Sequence, residues 1–270
     1  MNNELIKSLL VMAETVEARD PYTGGHLWRV SQFAKLLSVK VGRPEAEAIQ
    51  ISLGGYLHDL GKVEIPETIL RKPGRLTDHE FEIIKTHPLI GGRIINEHPL
   101  SSLVCRPILE HHERLDGKGY PCGLSGNRIA FSSRIVGISD ALDAMTSTRS
   151  YRKALSLETT LQLLERGSGT QFDSVLVSHM CELGRAGDLS HIIGHSADGI
   201  PLVTCPHCGP VIAIPRNTMD GDVIYCRACH SELILHKESD MFVAEMTGMI
   251  GDPRNLEPRA NEDAMEDVLA

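Results

Sequence analysis

The sequence predicts an all-α helical bundle over residues 1–184, followed by a small β module at 200–237. Three observations carry this. Up to about residue 185, apolar side chains recur at helical spacing and strand signals are absent. Past Gly184 the pattern changes to short β-branched pieces separated by Pro, Gly and Asn turns. Two C-x-x-C pairs fall in that second region. With 270 residues and a hydrophobic fraction of 41%, the chain can fill a core of moderate size and still carry an appendage.

The elements follow in order. Leu5, Ile6, Leu9, Leu10, Ala13 and Val16 mark an amphipathic helix over 3–18 that stops before Asp20-Pro21. Gly24-Gly25 loosen the backbone, and His26 stands near the start of a helix carrying Val30, Phe33, Ala34 and Leu37. A third helix runs from near Pro44 through Ile49, Leu53 and Leu57 into His58-Asp59, and Gly61 ends it. Thr77 with Glu80 forms a capping box for a helix through Phe81 and Ile84 to His87, where Pro88 follows. Ser101 or Ser102 caps the helix that carries Val104 and Ile108 into His111-His112, and Gly117, Gly119 and Pro121 then break it. Ser132-Ser133 open a helix with Ile135, Ile138, Ala141 and Leu142 on its apolar face and Asp140 and Asp143 among them. Residues 157–165 and 173–183 read as two closing helices, the second capped by Asp173.

Residues 185–199 read as a linker, and β pieces follow at 200–204, 211–214, 223–225 and 233–235. From residue 238 to 270 acidic residues outnumber basic ones and Gly251-Asp252-Pro253 breaks any helix. A flexible acidic tail with one helical turn near Met265 is expected there.

Bulk charge narrows the function. A net charge of -9 argues against a basic nucleic-acid binder and against a polybasic membrane anchor. Aromatics at 4% provide poor stacking platforms for single strands. No run of about 18 apolar residues occurs and the first residues lack a secretory pattern, so a cytoplasmic location is expected.

The candidate chemistry lies at helix ends. His26, His58, Asp59, His87, His111, His112 and Asp140 come from separate helices and form a nitrogen and oxygen donor set without sulfur. Such donors suit iron, manganese, nickel or zinc, and seven are too many for one cation and suit two. An Asp can bridge two cations because each oxygen serves one of them, and a water shared between them is deprotonated near neutral pH. Asp59 is the expected bridge, and phosphodiester hydrolysis by that hydroxide is the reaction the set implies.

With these residues in view, the chain resembles the HD-GYP family of cyclic di-GMP phosphodiesterases over roughly residues 8–184. The resemblance rests on Arg19-Asp20-Pro21-Tyr22-Thr23-Gly24-Gly25-His26, His58-Asp59-Leu60-Gly61-Lys62, Thr86-His87-Pro88, His111-His112 through Gly119-Tyr120-Pro121, and Ser139-Asp140 through Met145-Thr146. It implies an HD-superfamily helical bundle that hydrolyses cyclic di-GMP to pGpG, and in many members on to GMP. It also implies that Lys62 contacts the scissile phosphate, that Arg149 and Arg152 grip the other phosphate and guanine, and that Asp143 helps hold the nucleotide. Family members with three metals place a Glu where this chain has Tyr22, so the resemblance implies two metals. Ile129-Ala130-Phe131 and Ser150 also depart from the family pattern, without removing a ligand.

Cys205, Cys208, Cys226 and Cys229 read as a four-thiolate zinc ribbon, in which one structural zinc supplies folding energy a short module lacks. Basic and acidic residues balance in the ribbon, so protein docking or homodimerisation is expected of it rather than nucleic-acid binding. Cys105, Cys122 and Cys181 are expected to be packing or incidental residues. Two alternatives to the active cyclic di-GMP phosphodiesterase remain: a receptor or interaction module that turns nucleotide over slowly, and a hydrolase of another cyclic dinucleotide.

Overall fold

The computed structural model describes residues 3–20, 24–72, 74–148, 152–209, 211–239, 241–256 and 260–269. Over the first two thirds it is a helical bundle. Helices α1 (Asn3–Glu17), α2 (His26–Lys40) and α3 (Glu45–Leu57) are followed by a 3-10 turn at Leu60–Glu64, the short α4 (Glu67–Leu70), and α5 (Asp78–Ile84). Then come α6 (His87–Asn96), α7 (Ser101–Glu110), α8 (Phe131–Thr146), α9 (Leu157–Gly167) and α10 (Ser174–Ala186).

Packing explains the order. The central trio is α2, α3 and α8, with α7 laid across α3 and α8. Their facing side chains Phe33, Leu37, Leu57, Ile108, Ile135, Ile138 and Leu142 are each 0% exposed. Full burial of such a side chain is worth about 1.5–3 kcal/mol, so the apolar stripes read from the sequence account for the bundle. The Thr77–Glu80 capping box forms as expected and starts α5, and Asp173 accepts from Val175 and Leu176 to start α10. One glycine is obligatory: a Cβ at Gly61 would lie 1.9 Å from the His87 carbonyl oxygen. That close approach brings the end of α3, with His58 and Asp59, against the start of α6, with His87.

The C-terminal third departs from the expectation in two places. The linker at 185–199 includes a strand, β1 (His195–Ala197), paired antiparallel with β2 (Ile200–Pro201). The module continues with the hairpin of β3 (Val203–Thr204) and β4 (Val211–Ile212), then a three-stranded antiparallel sheet of β5 (Val223–Tyr225), β6 (Ser231–Glu238) and β7 (Met241–Ile250). The expected flexible tail at 238–270 is therefore corrected: β7 pairs along β6, and α11 (Glu262–Leu269) packs on α1 and α2. Backbone pairing to β6, whose Leu233 and Leu235 are 0% exposed, orders a strand whose own side chains are mostly exposed. Burial of Ala264 and Met265 against the bundle does the same for α11. Among the described residues no helix is long and apolar enough to cross a membrane.

Candidate metal centre

The helix ends converge on one buried cluster. His26 opens α2, His58 and Asp59 close α3, His87 opens α6, and His111 and His112 follow α7, while Asp140 projects from the middle of α8. Two trios that share no residue result, His26 with His58 and Asp140, and His87 with His111 and His112, and a third, His58 with Asp59 and His111, links them, each with donor atoms within 4.8 Å of one another. Asp59 lies between them. Its Oδ2 is 3.6 Å from His26 Nε2 and 3.4 Å from His58 Nε2, while its Oδ1 is 3.4 Å from His87 Nε2. Asp140 Oδ1 is 3.6 Å from His26 Nε2 and 3.9 Å from His58 Nε2.

The ring nitrogens are assigned by what holds the other side. His58 Nδ1 donates to Gly55 O at 2.6 Å, His87 Nδ1 to Ile84 O at 2.7 Å, and His111 Nδ1 to Pro107 O at 3.0 Å. His26 Nδ1 is 2.7 Å from Asp143 Oδ2. A neutral imidazole that donates through Nδ1 presents a lone pair at Nε2. The inward pair His87–His111 at 3.1 Å therefore sets lone pair against lone pair, an arrangement that a cation between them would relieve, and His26 Nε2 and His58 Nε2 approach to 3.3 Å.

Charge states differ between the two trios. Burial pushes His87 down to about 3 and His112 to about 4, and carries His111 well below its ordinary value, so the second trio is neutral at pH 7. Burial would lower His58 as well, but the Asp59 and Asp140 carboxylates hold it above its ordinary value. Burial opposes ionisation of Asp59, and Lys62 and His58 overcome it and hold that carboxyl well below the carboxylate range. The neutral imidazoles of His87, His111 and His112 and the ionised Asp59 are donor states that divalent cations require, and a cation at the first trio would displace the proton that the carboxylates favour on His58, so the residues fit a pair of them.

The remaining expected residues divide. Lys62 Nζ lies 2.5 Å from Asp59 Oδ2, at the edge of the centre. Asp143 is 0% exposed, with its oxygens engaged by Arg29 and His26, so it positions His26 and does not meet a nucleotide. Arg152 donates to the carbonyls of Ala144 and Met145 and holds the end of α8. Arg149, Tyr22 and Ser150 lie outside the described residues.

A cavity of about 360 Å³ opens on the His112 and Asp140 side. Lys85, Lys118 and Arg134 line it together with Phe81, Tyr120 and Phe172. The Tyr120 ring lies over His112 with centroids 4.7 Å apart, and Lys85 Nζ sits 5.4 Å from the Tyr120 centroid. Lys118 lies within the stretch 111–121 and Lys85 directly before Thr86-His87-Pro88, and what the sequence did not reveal is that the fold turns them and Arg134 toward one cavity. Glu113 escaped the sequence reading: its carboxylate accepts from Cys122 N at 2.7 Å and Leu124 N at 2.9 Å and so shapes the loop that carries Tyr120. Its place directly after the two histidines was the available signal.

The four cysteines of the module form a second donor set. Sγ separations are 3.6 Å for Cys205–Cys208, 3.5 Å for Cys208–Cys226 and 3.7 Å for Cys205–Cys229. Zinc–sulfur bonds of about 2.3 Å give tetrahedral sulfur–sulfur edges of about 3.8 Å, so these thiols are spaced for one zinc. Burial opposes ionisation of Cys229, yet hydrogen bonds with Ser231 bring it down to about 6, in the thiolate form a metal needs.

Comparison with known proteins places these features in context. The HD domain family model matches residues 10–176, more than half of the chain. The cyclic di-GMP phosphodiesterase response regulator RpfG of Xanthomonas campestris pv. campestris is 37% identical over 190 residues, covering 70% of this chain and 50% of that protein. The 3′3′-cGAMP-specific phosphodiesterase 2 of Vibrio cholerae is 37% identical over 183 residues, covering 67% of this chain and 34% of that protein. The chain thus spans half or less of the length of these curated relatives. Among solved structures, the HDG"Y"P protein Bd1817 from Bdellovibrio bacteriovorus superposes with a TM-score of 0.51 at 20% identity, covering 62% of this chain and 53% of that one. This last likeness concerns the fold.

Proposed function

We propose, from the premise that this chain belongs to the HD domain family, that it is a metal-dependent phosphodiesterase hydrolysing cyclic di-GMP to pGpG, with GMP as the further product if the linear dinucleotide is also cleaved. The observation that carries the proposal is the placement of Asp59, whose two oxygens face separate trios of donors. In this reading His26, His58 and Asp140 hold one divalent cation, His87, His111 and His112 hold the other, and Asp59 bridges them. The sulfur-free donors favour iron or manganese, with nickel or zinc as alternatives. When bound, such a pair would supply Lewis acidity and lower the pKa of bound water.

The chain's own groups do the rest. The Nδ1 contacts fix the orientation of His26, His58, His87 and His111, so these donors need little reorganisation as charge develops on the phosphate. Lys62 puts a fixed positive charge beside Asp59, where it would meet a non-bridging phosphate oxygen. Lys118, together with Lys85 and Arg134, which are paired with Glu82 and Asp173, puts cationic groups along the adjoining cavity where a cyclic bis-phosphate would meet them. Its aromatic rings offer faces to a purine. In the module, the Sγ spacing supports one structural zinc, and its balanced charge supports contact with protein, a partner or a second copy, over contact with nucleic acid.

The 3′3′-cGAMP-specific relative gives a second reading of the same site, with the chemistry unchanged and one base exchanged. A panel of cyclic di-GMP, 3′3′-cGAMP and cyclic di-AMP, offered to iron- or manganese-loaded protein with linear products quantified, tests both. Faster turnover of cyclic di-GMP is expected. Saturable binding with negligible linear product would replace the enzyme by a receptor.

A further inference from the structure

His26 is held differently from the other histidines. Where His58, His87 and His111 lean on carbonyls of their own or the preceding helix turn, His26 Nδ1 leans on a carboxylate from another helix, Asp143 of α8. Asp143 is in turn held by Arg29, 1% exposed and one helical turn beyond His26, whose Nε is 2.5 Å from Oδ1 and whose Nη2 is 3.2 Å from Oδ2. The fork's remaining nitrogen, Nη1, donates to Gly24 O at 2.9 Å and to His195 O at 2.8 Å. His195 belongs to β1, outside the bundle.

The module therefore completes the seat of Arg29. At the same point Gly25, with φ of 71°, passes so near β1 that a Cβ there would lie 2.5 Å from Ser196 Cα. Helix α11 holds β1 in place. Asn261 Nδ2 donates to Ser196 O at 3.2 Å, and Asp267 accepts from Asp198 N at 2.6 Å. Asp267 also accepts from Arg216 Nη2 at 2.8 Å, which reaches into the ribbon.

We infer that Arg29 is a positioning residue for the metal ligand His26, and that β1 and α11 seat it, so that the C-terminal module tunes one of the two cation sites and leaves the other alone. The chain of contacts runs from His195 O through Arg29 and Asp143 to His26, and no comparable contact reaches the trio of His87, His111 and His112 among the described residues. The inference rests on the two-cation reading of the centre.

Titration with Mn²⁺, which thiolates bind poorly, of the full chain produced with zinc alone, mildly chelated and verified to retain one zinc per chain, tests it by calorimetry without reference to turnover. The wild-type chain should take up two Mn²⁺ in two resolvable steps, assigned with His112→Ala, which removes a ligand of the second trio. Loss of an outer hydrogen-bond partner costs roughly 10–100-fold in metal affinity, so Arg29→Lys, which keeps the charge but not the fork, should weaken the His26 step by about that factor. The other step should not move. Asp267→Ala, at a partly exposed site on α11, should weaken the same step by a smaller factor while the bundle stays folded. Two unchanged steps, or an equal loss at both, would overturn the inference while leaving the two-cation centre intact. A wild-type chain that takes up no Mn²⁺ would overturn the reading of the centre and the inference with it.

Discussion

Asp59 and Glu17 illustrate opposite uses of a buried carboxylate. Asp59 is surrounded by imidazoles and Lys62, which keep it ionised against the cost of burial. For Glu17, burial comes first and the Glu14 charge second, and together they hold its carboxyl well above the ordinary value, with only the Leu27 amide and Arg29 pulling the other way. A carboxyl with a raised folded pKa favours the folded chain while it is protonated. That contribution is present below the unfolded value of about 4.3 and is lost as pH rises through the folded one. Glu17→Gln keeps an oxygen for Leu27 N and removes the titration. Its denaturation midpoint should exceed that of the wild-type chain at pH 7 and match it near pH 4, measured by urea titration across that range. At this scale the sequence was informative about ligands and poor about their supports. His58-Asp59 and His111-His112 are unusual neighbours that packing alone does not require. Arg29 and Glu17 look like ordinary polar positions until the fold brings β1 and α8 to them.

Elements were legible where their own side chains decide them. The apolar stripes of α2, α3 and α8 follow the helical period because they face one another, and Thr77 with Glu80 starts α5 from local hydrogen bonds alone. No residue of α5 is buried, so its cap bears more of its stability than in a core helix. Thr77→Ala should therefore destabilise α5 locally by about 0.5–2 kcal/mol. Amide exchange should quicken over residues 78–84 and remain slow in α3, where an equal rise would show that the cap supports the whole bundle. The strand β7 was hidden for the converse reason. Met241, Val243, Met249 and Ile250 are exposed, so no alternation marks it, and its conformation is dictated by the partner strand β6. The same holds for α11, whose acidic residues Asp263 and Asp267 read as solvated charge and are in fact paired with Arg216.

At the scale of the molecule, an HD domain bundle and an appended thiolate module share one interface, which runs along α1 and the start of α2 behind the first donor trio. The bundle brings seven donors from five helices to one point, fixed Nδ1 contacts aim His58, His87 and His111 inward, and burial keeps His87, His111 and His112 neutral. The central claim is that Asp59 joins two cation sites into one catalytic centre. Metal quantification and cyclic di-GMP turnover on the same anaerobic preparation of wild-type and Asp59→Ala protein test it most directly. The wild-type chain should carry two iron or manganese ions besides one zinc. Asp59→Ala should lose the pair, keep the zinc, and fall in turnover by roughly a thousandfold or more, the several kcal/mol that Lewis-acid stabilisation contributes. Turnover retained in Asp59→Ala, or a full pair of ions still bound there, would contradict the account.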